Sequence, residues 1–343
     1  MNISVLMGGT SSERDVSLAS GLRVAEALRA KGHEVTTVDT ARGALPREEE
    51  RAMLAASAVQ KEPPSQEELD RMKADTLRQL QAILPLVQDA DVVFLTLHGG
   101  YGEDGTVQAF LDMAGVPYTG SGHLASALAM DKDLSKHLFR REGVSTAEWM
   151  MVERAEGAST EVMQQAIATL GLPLIVKPSK QGSTVGLSVV KEPSALEPAI
   201  REAFRYDDEV MLERFIAGRE LTVGVLGGEA LPVGEIIPKH EIYDYECKYT
   251  AGMAEEVFPA DLTAGEREAV QGQALKAFRA LKLRGCARID FRMSEDGAFF
   301  CLEANTLPGM TGTSLIPQAA AAAGMDFPTF CDRVARLALE GRS

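Results

Sequence analysis

Basic residues are in deficit in this chain: 35 Lys and Arg stand against 50 Asp and Glu, a formal charge of −15 over 343 residues. That balance argues against nucleic acid as a partner, because a phosphate backbone demands a cationic surface. Cysteine is scarce as well. Cys247, Cys286, Cys301 and Cys331 are scattered with no CxxC pair, which argues against a disulfide framework and predicts reduced thiols in the cytoplasm. Cys286 and Cys301 fall in apolar strand-like runs, where they are expected to be core residues. No apolar stretch approaches a transmembrane span, so no membrane partner is expected. The N-terminal run Met1–Met7 reaches Gly8-Gly9 without a basic region, which argues against a signal peptide. Missing too are the Gly/Lys/Ser pattern of a P-loop and the acidic spacing of an EF-hand, which disfavours both.

The hydrophobic content of 45% is enough for two or three packed units. The most informative residues lie near the C-terminus, in Arg288-Ile289-Asp290 and Glu303-Ala304-Asn305, followed by Pro308-Gly309. Each segment places oxygen ligands on a strand-like stretch, so that Asp290, Glu303 and Asn305 can converge on one face. No His or Cys lies within ligand spacing, and a few hard oxygens suit magnesium, which completes its shell with water and phosphate. Taken singly, either carboxylate reads equally well as a solvated strand end. Upstream, Leu172-Pro173-Leu174-Ile175-Val176-Lys177-Pro178 reads as a short apolar strand ending in a lysine. An unpaired ammonium is costly to bury, so Lys177 is expected to meet an anion. The small-residue loop Gly182-Ser183-Thr184-Val185-Gly186 follows, either a plain turn or a backbone cradle for phosphate.

Periodicity predicts a βαβ start from a strand at Ile3–Met7, a helix at Val16–Lys31 and a strand at Val35–Val38. Residues Ala41–Pro85, broken at Pro63-Pro64, read as surface helices. Further strands are expected at Val92–Leu97, Val210–Phe215, Leu221–Leu226, Arg288–Met293 and Ala298–Glu303. Helices are expected from Thr106, near Lys132–Glu142 and Ser194–Tyr206, and from Leu315 onward. Gly120-Ser121-Gly122-His123-Leu124-Ala125 matches a dinucleotide fingerprint, but the acidic residue that should follow on a second strand is unclear, and a nicotinamide enzyme is disfavoured.

Several segments occur together and in a telling order: Gly8-Gly9-Thr10 through Ser17, His98-Gly99-Gly100-Tyr101-Gly102-Glu103-Asp104-Gly105, Tyr118 to Gly122, Met130-Asp131-Lys132, Lys177-Pro178 with its loop, Tyr243 to Tyr249, Arg288-Ile289-Asp290, and Glu303 to Thr311. In this combination the chain resembles the D-alanine–D-alanine ligases of the ATP-grasp superfamily over nearly its whole length, Ala41–Pro85 excepted. The resemblance implies an α/β fold with a Rossmann-like substrate unit (1–120, with 41–85 as a helical insert), a lid unit (121–213) and a metal-bearing C-terminal unit (214–343). It implies ATP-dependent joining of two D-alanines for peptidoglycan precursor synthesis, through an acylphosphate, in a cytoplasmic homodimer.

Roles follow from the same resemblance. Lys132 and Lys177 correspond to phosphate-binding lysines, with Ser183 and Thr184 in the lid loop. Glu213-Arg214-Phe215-Ile216 resembles the hinge whose backbone meets adenine, and Glu220 the carboxylate that takes the ribose hydroxyls. Asp290, Glu303 and Asn305 would hold two magnesium ions, with manganese as a substitute. Glu13 is suited to the ammonium of the first D-alanine, assisted by His98. Arg288 and the N–H of Gly309 suit a developing oxyanion, and Ser314 with Leu315, at an expected helix N-terminus, the carboxylate of the second D-alanine. Glu13, Ser183 and Tyr249 resemble a hydrogen-bonded trio closing the site, with Lys248 beside it. Read without the resemblance, His98 is equally a turn cap, Glu13 a first-turn helix carboxylate and Tyr249 a packing aromatic. A D-lactate or D-serine ligase, or another ATP-grasp carboxylate–amine ligase, remains an alternative. A non-catalytic nucleotide-binding regulator should have lost a metal ligand or Arg288, and neither is lost.

Overall fold

The computed structural model describes residues 1–55, 74, 76–182, 184–240, 242–243, 252–312 and 314–340. Strand β1 (Asn2–Met7) runs into helix α1 (Arg14–Ala30) and strand β2 (Glu34–Asp39), then β3 (Gly43–Ala44), α2 (Arg47–Ala55), α3 (Thr76–Val87), β4 (Val92–Leu95) and α4 (Thr106–Met113). The sheet order is β3-β2-β1-β4, with β1 parallel to both β2 and β4. Parallel pairing requires a crossover, which α1 supplies, and buries the central strand on both faces. Ile3, Val5 and Leu6 are accordingly fully buried.

The stretch expected as surface helices carries α2 and α3, each mostly exposed but seated by a buried face. Glu50 of α2 is buried, where it pairs with Arg29 and accepts from Thr37, and Leu80, Ile83 and Val87 of α3 belong to the core beside Leu6 and Val93. Polar composition does not show this seating, because one buried carboxylate carries the α2 pairing and α3 buries only one stripe. Pro63-Pro64 lie outside the described residues.

Next come α5 (His123–Met130), α6 (Lys132–Arg141), β5 (Trp149–Glu153), α7 (Thr160–Leu170), β6 (Leu174–Pro178), β7 (Ser188–Val190), α8 (Leu196–Ala203) and β8 (Glu209–Arg214). The antiparallel sheet β5-β8-β6-β7 has one face packed on α7 and α8 through Leu170, Val176, Ile200 and Leu212. The rest of the chain forms β9 (Arg219–Leu226), β10 (Glu229–Ala230), β11 (Gly234–Pro238), β12 (Ala254–Val257), α9 (Ala264–Ala280), β13 (Cys286–Met293), β14 (Phe299–Asn305), α10 (Leu315–Ala322) and α11 (Phe327–Leu337). The order β12-β11-β9-β13-β14, with β10 beside β9, makes a six-stranded sheet. α5, α6 and α9 share a core with β9 and β13. α10 and α11 share another with α1, β1 and β4, through Ile316, Phe330, Leu28 and Phe94. One hydrophobic core therefore joins the beginning of the chain to its end. Cys286 and Cys301 are buried as expected, and Cys331 is buried too; Cys247 lies outside the described residues.

The fingerprint-like glycines serve packing. Gly120 has φ +84°, and a Cβ on Gly285 would meet the Gly120 nitrogen at 3.3 Å, so two backbones pass where a side chain would not fit.

Candidate active site

Strands β13 and β14 pair antiparallel, with Asp290 opposite Glu303 and Arg288 opposite Asn305. Cross-strand partners at alternate positions share a face, so the four side chains project together, next to an irregularity in the register after Asp290. Arg288 donates to Asp290 through Nε at 2.9 Å and Nη2 at 2.8 Å, and Thr222 donates to Asp290 Oδ1 at 2.7 Å. Burial works against the Arg288 charge, but Asp290 and Glu303 outweigh it and keep the guanidinium cationic. Glu303 lies 3.7 Å from Lys132 Nζ. Among the described residues, Asn305 Oδ1 is buried without a hydrogen-bond partner, although a buried amide oxygen ordinarily finds a donor. Two carboxylates and an orphaned oxygen on one face fit a hard cation such as magnesium.

Lys177 and Glu213 sit diagonally on the face of their sheet away from α7 and α8 and bond at 2.7 Å. Lys136, a residue the sequence reading overlooked, bonds the other oxygen of Glu213. Burial would raise the Glu213 carboxyl, but Lys177 and Lys136 hold it down at about 2. Lys132 donates to the Gln181 carbonyl at 2.6 Å. Thr184, at φ +64°, donates to the Tyr243 carbonyl at 3.1 Å, tying the small-residue loop down across the cleft. The Arg214 side chain turns away to the carbonyls ending α7, leaving only its backbone toward the cavity. Arg292 pairs with Glu220 at 3.2 Å and donates to the Ile216 carbonyl at 3.1 Å, with its guanidinium 5.7 Å from the centre of the Phe215 ring.

Glu13 occupies the N-cap position of α1 but makes no capping bond with its side chain, which is buried beside Gly99 and Gly182. His98 is buried, with Nδ1 2.9 Å from the Leu307 carbonyl and Nε2 3.3 Å from Ser20 Oγ. A carbonyl only accepts, so Nδ1 carries the proton, and burial lowers the pKa despite Glu13 nearby. Ser20 Oγ also accepts from the Met310 N–H at 3.2 Å. His98 is therefore a bridge between the first sheet and the loop that carries Gly309. Glu103, in the His98–Gly105 segment, has its carboxyl pushed up to about 8 by burial and the charge of Glu13, and it accepts from the Gly99 N–H at 2.7 Å. Ser314 is the N-cap of α10, which begins at Leu315 as expected, and a Cβ on Gly309 would meet Ser314 Oγ at 2.7 Å. A side chain on Gly309 would therefore displace the Ser314 hydroxyl.

Two adjoining cavities collect these groups. One, of about 420 Å³, is lined by Glu13, His98, Gly309, Ser314 and Leu315; the other, of about 140 Å³, by Lys177, Thr184, Phe215, Ile216, Glu220 and Asp290. Lys132, Gln181, Tyr243, Arg288 and Glu303 line both and form the wall between them. Ser183, Lys248 and Tyr249 lie outside the described residues. Lys136 and Thr222 carried a weak signal: each is a single polar residue in an otherwise structural segment, with nothing local to mark its partner.

Comparison with known proteins adds independent findings. Residues 2–121 match the family described as D-ala D-ala ligase N-terminus, and residues 138–336 that described as D-ala D-ala ligase C-terminus. The D-alanine–D-alanine ligase of Syntrophotalea carbinolica is 41% identical over 97% of this chain and 94% of its own length. That of Geobacter sulfurreducens is 41% identical over 97% of this chain and 92% of its own. Among solved structures, the Bacillus anthracis D-alanine–D-alanine ligase complexed with ATP superposes with a TM-score of 0.74 at 31% identity, covering 99% of this chain and 97% of that one.

Proposed function

Since the chain belongs to the D-alanine–D-alanine ligase family, we propose that it joins two D-alanines at the expense of ATP, releasing ADP and phosphate. The observation that carries this reading is the shared wall: a cavity with a hinge and a ribose-type carboxylate meets one with an ammonium acceptor and a helix N-terminus, across Lys132, Arg288 and Glu303. A group transferred between nucleotide and amino acid must cross such a wall.

In this reading the backbone of 213–216 receives adenine, Glu220 the ribose, and Lys132 and Lys177 the phosphates under the Thr184 loop. Asp290, Glu303 and Asn305 would hold magnesium, which when bound neutralises phosphate charge against an incoming anion. Glu13 takes the ammonium of the first D-alanine and sets its carboxylate toward the γ-phosphorus. The carboxylate oxygen bonds to phosphorus as the bond to ADP breaks, giving an acylphosphate. The amine of the second D-alanine, its carboxylate on the Ser314 and Leu315 end of α10, then attacks the acyl carbon. Arg288 and the Gly309 N–H stabilise the tetrahedral oxyanion until phosphate leaves. His98, neutral and fixed by Leu307, keeps the Gly309 loop in register. The same reading gives Ser183, Tyr249 and Lys248 the closing role that the family resemblance implies. The units 1–120, 121–213 and 214–343 belong to the same proposal, with α5 and α6 packed on the last sheet.

The test is phosphate release from purified protein with ATP, magnesium and a panel of D- and L-amino acids. D-alanine should be required, and ¹⁸O from its carboxylate should appear in phosphate. Release of AMP, or phosphate without label, would rule the acylphosphate route out. A dominant D-alanyl-D-lactate product in competition would replace the second substrate and leave the rest standing.

A further inference from the structure

We propose that Lys136, buried behind the nucleotide cavity, is a positioning residue: it serves as the standing counter-ion of Glu213 and so frees Lys177 to bind phosphate. The inference rests on the ATP reading of that cavity and deepens it.

The geometry is a carboxylate shared by two ammonium groups. Glu213 takes Lys177 on one oxygen at 2.7 Å and Lys136 on the other. Lys177 and Glu213 line the cavity, whereas Lys136 does not and its side chain is 0% exposed. The remaining contacts of Lys136 are internal: Nζ donates to Thr146 Oγ1 at 2.6 Å and lies 4.9 Å from the centre of the Trp149 ring. The Thr146 hydroxyl donates in turn to the Cys301 carbonyl at 2.8 Å. Its oxygen is thereby turned toward the lysine, and the triad is anchored to β14, the strand of Glu303 and Asn305. Helix α6 arranges this by spacing, since Lys132 and Lys136 lie one turn apart on the same side.

Charge counting gives the consequence. Lys177 and Glu213 alone would form a neutral pair, and a phosphate drawing Lys177 away would strand a buried carboxylate, a costly state. With Lys136 in place the triad carries one excess positive charge, and Glu213 keeps a cation when Lys177 turns to the nucleotide. The internal lysine makes the cavity lysine available without touching the ligand.

The experiment titrates wild type, Lys136→Met, Glu213→Gln and the double variant with ADP and with adenosine, in magnesium buffer, by calorimetry, with thermal melts to establish folding. Lys136→Met should weaken ADP roughly tenfold and leave adenosine, which has no phosphate, within about twofold. In the Glu213→Gln background the same replacement should change ADP affinity little, because Lys136 acts only through the carboxylate. Equal loss of ADP and adenosine would mean a merely structural role and overturn the inference, as would unchanged ADP binding in Lys136→Met. If Lys136→Met does not fold, Glu213→Gln and the double variant decide: equal ADP affinity supports the inference, and a further tenfold loss on removing Lys136 overturns it. Wild type that bound no ADP would overturn the ATP reading and this inference together. Failure confined to the variants overturns the inference alone.

Discussion

Glu303 stands 3.7 Å from Lys132 on the wall between the cavities, and Lys177 faces the nucleotide side. Electrostatic contacts that strengthen in a transition state are worth on the order of 100-fold each in turnover. Glu303→Gln and Lys177→Ala should each lose about that factor or more in kcat, with native circular dichroism; near-normal turnover in either would refute the site. His98 supports a second prediction, on stability. Its folded pKa lies below the ordinary 6.5, so above that value both folded and unfolded chains hold it neutral. As pH falls below 6.5 the unfolded chain takes the proton first, and stability is lost. The melting temperature of wild type should therefore drop more between neutral and mildly acidic pH than that of His98→Gln. Equal slopes in the two melting series would show that His98 titrates normally and is not the neutral bridge described.

Helix α9 carries a capping box, with Thr263 accepting from the Glu266 N–H at 3.3 Å and Glu266 accepting from the Thr263 N–H at 2.8 Å. No helix was expected here from the sequence, although Thr263-x-x-Glu266 is a helix-start pattern; α9 buries Val270, Ala274 and Ala277 on β9 and β13. Because Thr263 is exposed, Thr263→Ala removes the cap with little packing. It should cost about 1 kcal/mol, seen as a lower denaturant midpoint, while Thr263→Ser should restore it. No loss in Thr263→Ala would mean that α9 is held by its buried face alone. The element matters to the site because β13, which it covers, carries Arg288 and Asp290.

Across the molecule, α1 and α11 share one core with β1 and β4, while the Thr184 loop meets Tyr243 across the cleft. A ligand held between these parts stabilises every unit it touches. A ligand at about 100 times its dissociation constant adds roughly 2.7 kcal/mol to the folded state. ADP with magnesium should thus raise the melting temperature by several degrees, and chelation with EDTA should remove most of the rise. A nucleotide-induced rise that EDTA leaves intact would separate nucleotide binding from the Asp290, Glu303 and Asn305 set.

Much of this was legible residue by residue. Period-two alternation placed Asp290, Glu303 and Asn305 on one face of strands, and the apolar runs located β1, β4 and β9 to within a few residues, because period and caps are written in neighbouring side chains. Lys177 at the end of a buried strand announced an anion for the same local reason. What the chain alone left open depends on partners far along it. The pairing of Asp290 with Thr222, the Leu307 carbonyl on His98, the burial of Glu50, and the meeting of Lys136 with Glu213 each join residues from separate elements. Whether a charge is solvated, paired or buried is decided by which faces pack together, and desolvation then gives it a pKa and a role that no local pattern contains.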